Sequence, residues 1–198
     1  MKGGLGGRLR RSGMRLMPHV SEPARPTAVA ANAPTNAVST AQFRAAFANF
    51  TTTVSIIATD GPAGVAGLTC SAVCAASDDP PLLLACVHGK SAANAAIRAN
   101  GVMSVNCLRT DQGEVSQAFA GVGRLSVEER FALTEWHVLE TGAPCCTGAL
   151  ATFDCEIADI RDVGTHTIFV AKVVATAASE TAEPLLFQRR AYATTRKL

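Results

Sequence analysis

Two long runs near the C-terminus, "ALATFDCEIADIRDVG" (149–164) and "THTIFVAKVVATA" (165–177), constrain this chain most. Both are rich in β-branched and aromatic residues, and only a tight turn at Gly164 separates them, so they are expected to pair as antiparallel strands. Further strand signals precede them: "TTVSIIAT" (52–59), "VAGLTCSAVCAAS" (65–77), "PLLLACV" (81–87) and "VMSVNCL" (102–108). The Gly/Pro turn "DGPAG" links the first two of these. Helix signals are fewer. Ser39-Thr40 reads as an N-cap ahead of "AQFRAAFANF", where Phe43, Ala46, Phe47 and Phe50 make an apolar stripe. "SAANAAIRAN" (91–100) is a short helix ended by Asn100-Gly101, and "QGEVSQAFAG" (112–121) is another. Residues 128–146 are irregular, and "EPLLFQRRAYATT" (183–195) closes the chain. Strands dominate, so the expected class is mainly β: a small closed or nearly closed barrel with peripheral helices. Strand–helix alternation is too sparse for a doubly wound nucleotide fold.

The first forty residues differ from the rest. Lys2, Arg8, Arg10, Arg11 and Arg15, with no acid, put +5 into residues 1–20 of a chain whose net charge is +2, which leaves −3 on the remainder. A mildly acidic body disfavours a nucleic-acid surface. The segment is rich in Gly, Arg, Pro and Ala, without periodicity or the apolar core of a signal peptide, so 1–38 is expected to be a disordered basic tail and 39–198 the folded domain. Met14 and Met17 stand as alternative beginnings. "GLGGRL" fails as a dinucleotide fingerprint, because Leu9 occupies the place of the third glycine and no strand precedes it. With 48% hydrophobic residues the chain can bury a sizeable core, and its longest apolar runs are too short to span a membrane. The seven dispersed cysteines include no CxxC and no completing histidines, which fits buried free thiols in a reducing compartment, the cytoplasm, and no metal.

"GLTCSAVCAASDDPP" (67–81) is peculiar for a strand, since nearly every side chain is small. Such a strand lets a flat ligand approach the backbone closely, or packs tightly under a helix. Thr69 and Ser71, two apart, present hydroxyls to one side, and Cys70 and Ala72 face the other. Ser77-Asp78-Asp79 make a turn, and Pro80-Pro81 set the exit direction. Ser91 is placed to start a helix whose free N–H groups favour an anion. Asn106 is an amide in an apolar strand and needs partners.

Five segments, "FRAAFANFTTTVSIIAT", "GVAGLTCSAVCAASDDPPLLLACV", "KSAANAAIRANGVMSVNCL", "GALATFDCEIADIRDVGTHTIFVAKVV" and "PLLFQRRAY", occur in one order from about residue 42 to the C-terminus. Together they resemble the flavin reductase family with the flavin-binding split-barrel fold, the small reductase components of two-component flavin monooxygenases. "GLTCSAVC" and "RRAYATTR" look most like the NADH:FAD reductase component of chlorophenol 4-monooxygenases.

The resemblance implies a six-stranded antiparallel split barrel of Greek-key form, a homodimer, and hydride transfer from NADH to FAD or FMN. The reduced flavin would leave for an aromatic monooxygenase partner. Carried over by residue, Thr69, Cys70, Ser71, Ala72, Ser77 and Asp78 would line the flavin ring and ribityl chain. Cys86, Val87 and His88 would flank it, and Lys90 and Ser91 would hold phosphate. Asn106 would meet flavin or a neighbouring loop, with Gln112 on the same rim. His166, in the family's Gly-x-His position, would place the nicotinamide as the catalytic residue. Tyr192 would close over the nicotinamide, or else dock onto its own barrel. Trp136 is read as packing near a dimer contact. "HGK" (88–90) departs from the family's usual Asn-Arg type loop. Ser71, His166 and Asp154 could be drawn as a hydrolytic triad, but no nucleophile-elbow pattern accompanies them. Two other classes remain open: a split barrel that retains its flavin as carrier or sensor, and a non-catalytic monooxygenase assembly subunit.

Overall fold

The computed structural model describes residues 37–196, so nearly all of the expected basic tail lies outside the described residues. Helix α1 (Thr40–Phe47) is followed by β1 (Thr52–Thr53), β2 (Ser55–Thr59), β3 (Ala66–Cys70), β4 (Val73–Asp78) and β5 (Pro81–His88). Then come α2 (Ala92–Asn100), β6 (Val102–Cys107), α3 (Gly113–Phe119) and α4 (Val127–Phe131). The chain ends with β7 (Trp136–His137), β8 (Cys145–Cys146), β9 (Ala151–Val163), β10 (His166–Ala178), β11 (Leu186–Gln188) and β12 (Ala191–Ala193).

The long C-terminal runs pair as expected and hold the centre of an antiparallel sheet ordered β3-β2-β6-β9-β10-β5-β4. Its two outermost strands, β3 and β4, are separated in sequence only by Ser71 and Ala72. Three Cα steps reach no further than about 11 Å, so the two edges of the sheet must meet there and the sheet curls into a barrel. Bulges in the β9–β10 and β4–β5 ladders add the local twist that such curling requires. The single run expected over 65–77 is thus two strands in one line. Counted as one, it makes the barrel six-stranded; at Ser71-Ala72 it leaves one ladder for another, where Cys86 N donates to Ala72 O at 2.9 Å. Val54 divides the 52–59 run similarly, donating to Leu185 O and accepting from Leu108 N, both at 2.9 Å.

Two apolar layers flank the sheet. Inside the barrel, Ile57, Ala85, Val87, Met103, Val105 and Phe169 are fully enclosed, and Ile97 of α2 joins the same cluster. Outside, Val54, Ile56, Leu108 and Leu185 pack against Val115 and Phe119 of α3, with Phe131 and Trp136 beyond them. Strand β2 is therefore buried on both faces, which is why "SIIAT" shows no polar alternation. Gly67 is the point of closest approach, since an added Cβ there would sit 2.8 Å from Phe119 Cε1. Part of the smallness of 67–81 is thus a packing requirement.

Helix signals hold in detail. Ser39 and Gln42 form a reciprocal capping box on α1, and Gly101 ends α2 at φ 71°, its N–H donating to Ile97 O. The α1 stripe, however, covers nothing: Phe43, Phe47 and Phe50 remain 60%, 50% and 66% exposed.

Candidate functional site

The β3–β4 crossing sorts its side chains as the period of two requires. Cys70 turns into the barrel, its Sγ 3.6 Å from Cys86 O, and burial pushes its thiol up to about 11. Thr69 and Ser71 turn outward. Thr69 Oγ1 donates to the Ser116 carbonyl of α3 at 2.6 Å, while Ser71 is exposed. Beside them Tyr192 of β12 folds back, its hydroxyl donating to Ser116 Oγ at 2.9 Å. Thr69, Ser71, Ser116, Phe187 and Tyr192 thus line one hollow. Tyr192 docks on its own barrel and walls the hollow as well.

Thr69 also borders a second cleft of about 410 Å³, between β3, the start of α2 and the α3–α4 corner. Its walls include Gly67, Ala92, Ala93 and Ala120, with Phe119 beneath and Arg130 at the rim. Ser91 stands at this cleft as N-cap of α2, with no hydrogen bond from its side chain to the helix. His88 closes the far end and leads into a third hollow with Lys90, Asp162, Thr165 and His166. The ladder places His166 directly opposite His88, ring centroids 5.2 Å apart and edge-on. Shared residues therefore join the three hollows into one groove, running from Tyr192 and Ser71 past Thr69 and Ser91 to His88, Lys90 and His166.

The His166 end is braced. Arg98 of α2 pairs with Asp162, donates to Thr167 Oγ1 at 2.8 Å, and its Nε donates to Asn94 Oδ1 at 2.9 Å. The Thr167 hydroxyl, with Arg98 beside it, holds the Asp162 carboxyl below the usual carboxylate range. His88 Nδ1 accepts from Lys90 N–H at 3.2 Å, so a neutral His88 carries its proton on Nε2.

Several sequence candidates stand elsewhere. Asn106 is fully buried, its amide donating to Ile56 O and Ser104 Oγ and its carbonyl accepting from Cys146 N–H and Thr152. Every polar position of that side chain is satisfied, so the neighbouring loop is its partner and it is not in the groove. Gln112 is likewise buried, accepting from Arg109 N–H and reaching Cys146 Sγ. Val87 points into the barrel core, as Cys70 does, and each could offer only backbone. Ser77 and Asp78 sit at the opposite end of the β4–β5 ladder from His88, beside Leu82 and Pro81. Cys86 is half-buried and Ala72 exposed at the crossing itself. Trp136 packs on Phe119 and Phe131, its indole N–H on Phe131 O. Ser116, Phe119 and Arg130 were not singled out in the sequence. Ser116 and Phe119 come from the helix expected over 112–121, whereas Arg130 comes from α4, a helix in the stretch expected to be irregular, started by a Ser126–Glu129 capping box.

A groove walled largely by small residues, with aromatics beneath it and at one end and with hydroxyls, a lysine and two imidazoles along its edge, fits a flat heteroaromatic ring carrying a phosphate. No helix among the described residues is long and apolar enough to cross a membrane, and all seven cysteines are free thiols.

Comparison with known proteins places the chain in a family. Residues 47–196 match the family described as flavin reductase like domain. The FMN reductase (NADH) RutF of Ancylobacter novellus is 44% identical over 163 residues, spanning 82% of this chain and 88% of that protein. Among solved structures, nitrilotriacetate monooxygenase component B from Mycobacterium thermoresistibile is 33% identical, with TM-score 0.72 over 79% of this chain and 86% of its own. The NADH:FAD oxidoreductase SgcE6 of Streptomyces globisporus C-1027 is 26% identical, with TM-score 0.74 over 83% of this chain and all of its own. With its barrel, its groove and a match over most of its length, the chain belongs to the flavin reductase like domain family.

Proposed function

We propose that this chain is an NADH:flavin oxidoreductase that takes FMN or FAD as a diffusible substrate and hands the reduced flavin to a two-component aromatic monooxygenase. One observation carries the reading within the family: adjoining hollows that share Thr69, Ala120 and His88 run from Thr69 and Ser71 at the small-residue crossing to the His88–His166 corner. The flavin ring would lie along Thr69, Ser71, Ala72 and Cys86, with its phosphate toward Lys90 and Ser91. Two N–H groups of the first α2 turn and one ammonium then oppose the anion. The nicotinamide would stack between His166 and the flavin, with Tyr192 at the opposite lip. Hydride passes from C4 of NADH to N5 of the oxidised flavin, chemistry that the two ring systems supply themselves. The chain's part is to hold the rings at about 3–3.5 Å and to keep water from between them. His166, its ring hydrogen-bonded to Thr165 Oγ1 at 2.8 Å and its strand held at Thr167 by Asp162 and Arg98, is the positioning group, and no acid–base dyad is required.

The names of the relatives support both flavins, FMN in one and FAD in another. The name of a monooxygenase component supports an oxygenase partner. Strand β4 supports a homodimer: among the described residues it pairs only with β5, and Cys74, Ala75 and Ala76 on it are exposed and small, an edge that a second copy would cover. Free thiols support the cytoplasm.

The test is NADH consumption by the purified protein with FMN, FAD or no addition. Consumption that requires added flavin is the expected result. No consumption with either flavin, from NADH or NADPH, would remove the reductase reading and leave a carrier or an assembly subunit.

A further inference from the structure

Beside the flavin groove lies a second hollow, and Ser71 belongs to both. Four phenyl rings, Phe43, Phe47, Phe50 and Phe187, and three arginines, Arg44, Arg189 and Arg190, line it, with no carboxylate. Phe47 and Phe50 are stacked at 5.1 Å and 12° and remain half or more exposed.

The arginines are placed at a cost. Arg189 and Arg190 are the two central residues of the β11–β12 hairpin, at φ 50° and 64°. Such a turn ordinarily carries Asn-Gly or Asp-Gly, because side chains with a Cβ are strained in the left-handed region. Arg189 fastens the turn to α1, its N–H donating to Ala48 O at 2.7 Å and its Nε to Asn49 Oδ1 at 3.1 Å. Arg190 and Arg44 make no side-chain hydrogen bond or ion pair among the described residues. Two exposed guanidinium groups without an ion pair among the described residues, beside bare stacked phenyls, suit a ligand with both a flat ring and a compact negative charge. An apolar peptide would leave the arginines uncompensated, and a simple anion would leave the rings wet.

We infer that this hollow binds an adenosine diphosphate moiety, the part that FAD and NADH have in common. The adenine stacks on the Phe47–Phe50 face, and Arg44 and Arg190 hold the diphosphate in bidentate pairs. The inference rests on the flavin reductase reading for its source of ligand. Ser71 is the hinge between the two hollows, so a dinucleotide seated in the flavin groove extends its adenylate end here.

The test is titration with ADP alone, FAD and FMN, followed by protein fluorescence, of the full-length chain and its Arg44→Ala/Arg190→Ala double variant. These two exposed side chains make no hydrogen bond or ion pair among the described residues, so the variant should fold, which its melting curve checks. ADP binding should weaken about tenfold or more, as loss of charge-assisted pairs implies. If the adenylate of FAD is the occupant, FAD loses the same factor while FMN does not. If that of NADH is the occupant, both flavins keep their affinity and the KM for NADH rises about tenfold. Unchanged ADP, FAD and NADH parameters would overturn the inference. So would a variant that becomes monomeric in sedimentation while its ADP affinity stays unchanged, since the face would then be a subunit contact. ADP binding is read without turnover, so failure of the reductase assay and failure of this inference remain separate results.

Discussion

The polar cluster under the 138–147 loop and the polar groups of the groove use similar residues to opposite ends. Beneath the loop, Ser104, Asn106, Thr152 and Asp154 are all at most 2% exposed, and each is hydrogen-bonded within the chain. Asp154 alone accepts from Glu140 N–H, Thr141 N–H and the Thr141 hydroxyl. Along the groove, Ser71, His88, Lys90 and Ser91 lie at the surface with donor capacity to spare. The difference teaches that residue type alone does not mark a binding group. Free hydrogen-bonding capacity facing a concave surface does, because a saturated buried amide has nothing left to offer a ligand.

The comparison breaks most visibly at Asp154. Asp154→Ala removes the shared acceptor of the Glu140 N–H, the Thr141 N–H and the Thr141 hydroxyl, and the unfolding free energy should fall by about 3 kcal/mol in denaturant titration. FMN affinity of the folded protein should stay as it was. A normal melting curve with weakened FMN would merge the two regions. Next in size, His166→Ala should lower kcat/KM for NADH about tenfold or more through lost positioning, with stability unchanged. A drop in melting temperature instead would make His166 a strand-start residue only. Lys90→Ala should raise the dissociation constant of FMN several-fold, about fivefold at low salt, and leave that of riboflavin unaltered, since a point charge acts only on the phosphate. Equal losses for both ligands would remove Lys90 from the phosphate.

The smallest effect is on pH dependence. Asp162 has its carboxyl held below the ordinary value of 3.8, so its contribution to stability is present above that pH and is lost as pH falls through the depressed value. Asp162→Asn should therefore flatten the acid limb of the melting profile. A profile steepened by the substitution would contradict the Arg98–Thr167 brace.

The strands, the helix caps and the long β9–β10 hairpin were legible because they depend on period, branching and capping residues that neighbours in sequence supply. The same holds for the outward pair Thr69 and Ser71, and for His166 at a strand start. The family resemblance, carried by ordered motifs, named the chemistry. For Asn106 the sequence left flavin and a neighbouring loop both open, with Gln112 on the same rim, because an amide in an apolar run looks alike whether it meets a ligand or a loop forty residues away. Ser116, Arg130 and the Arg44–Arg190 hollow were invisible because no local pattern joins a helix, a hairpin tip and a strand crossing.

The sequence by itself therefore determined the mainly β class and the positions of the turns, since local sterics and hydrophobic period decide those. Only the tertiary structure decided where the sheet closes, which polar groups are satisfied, and which cations face open space. Those follow from the meeting of β3 and β4 across Ser71-Ala72, and so from contacts between residues far apart in the chain.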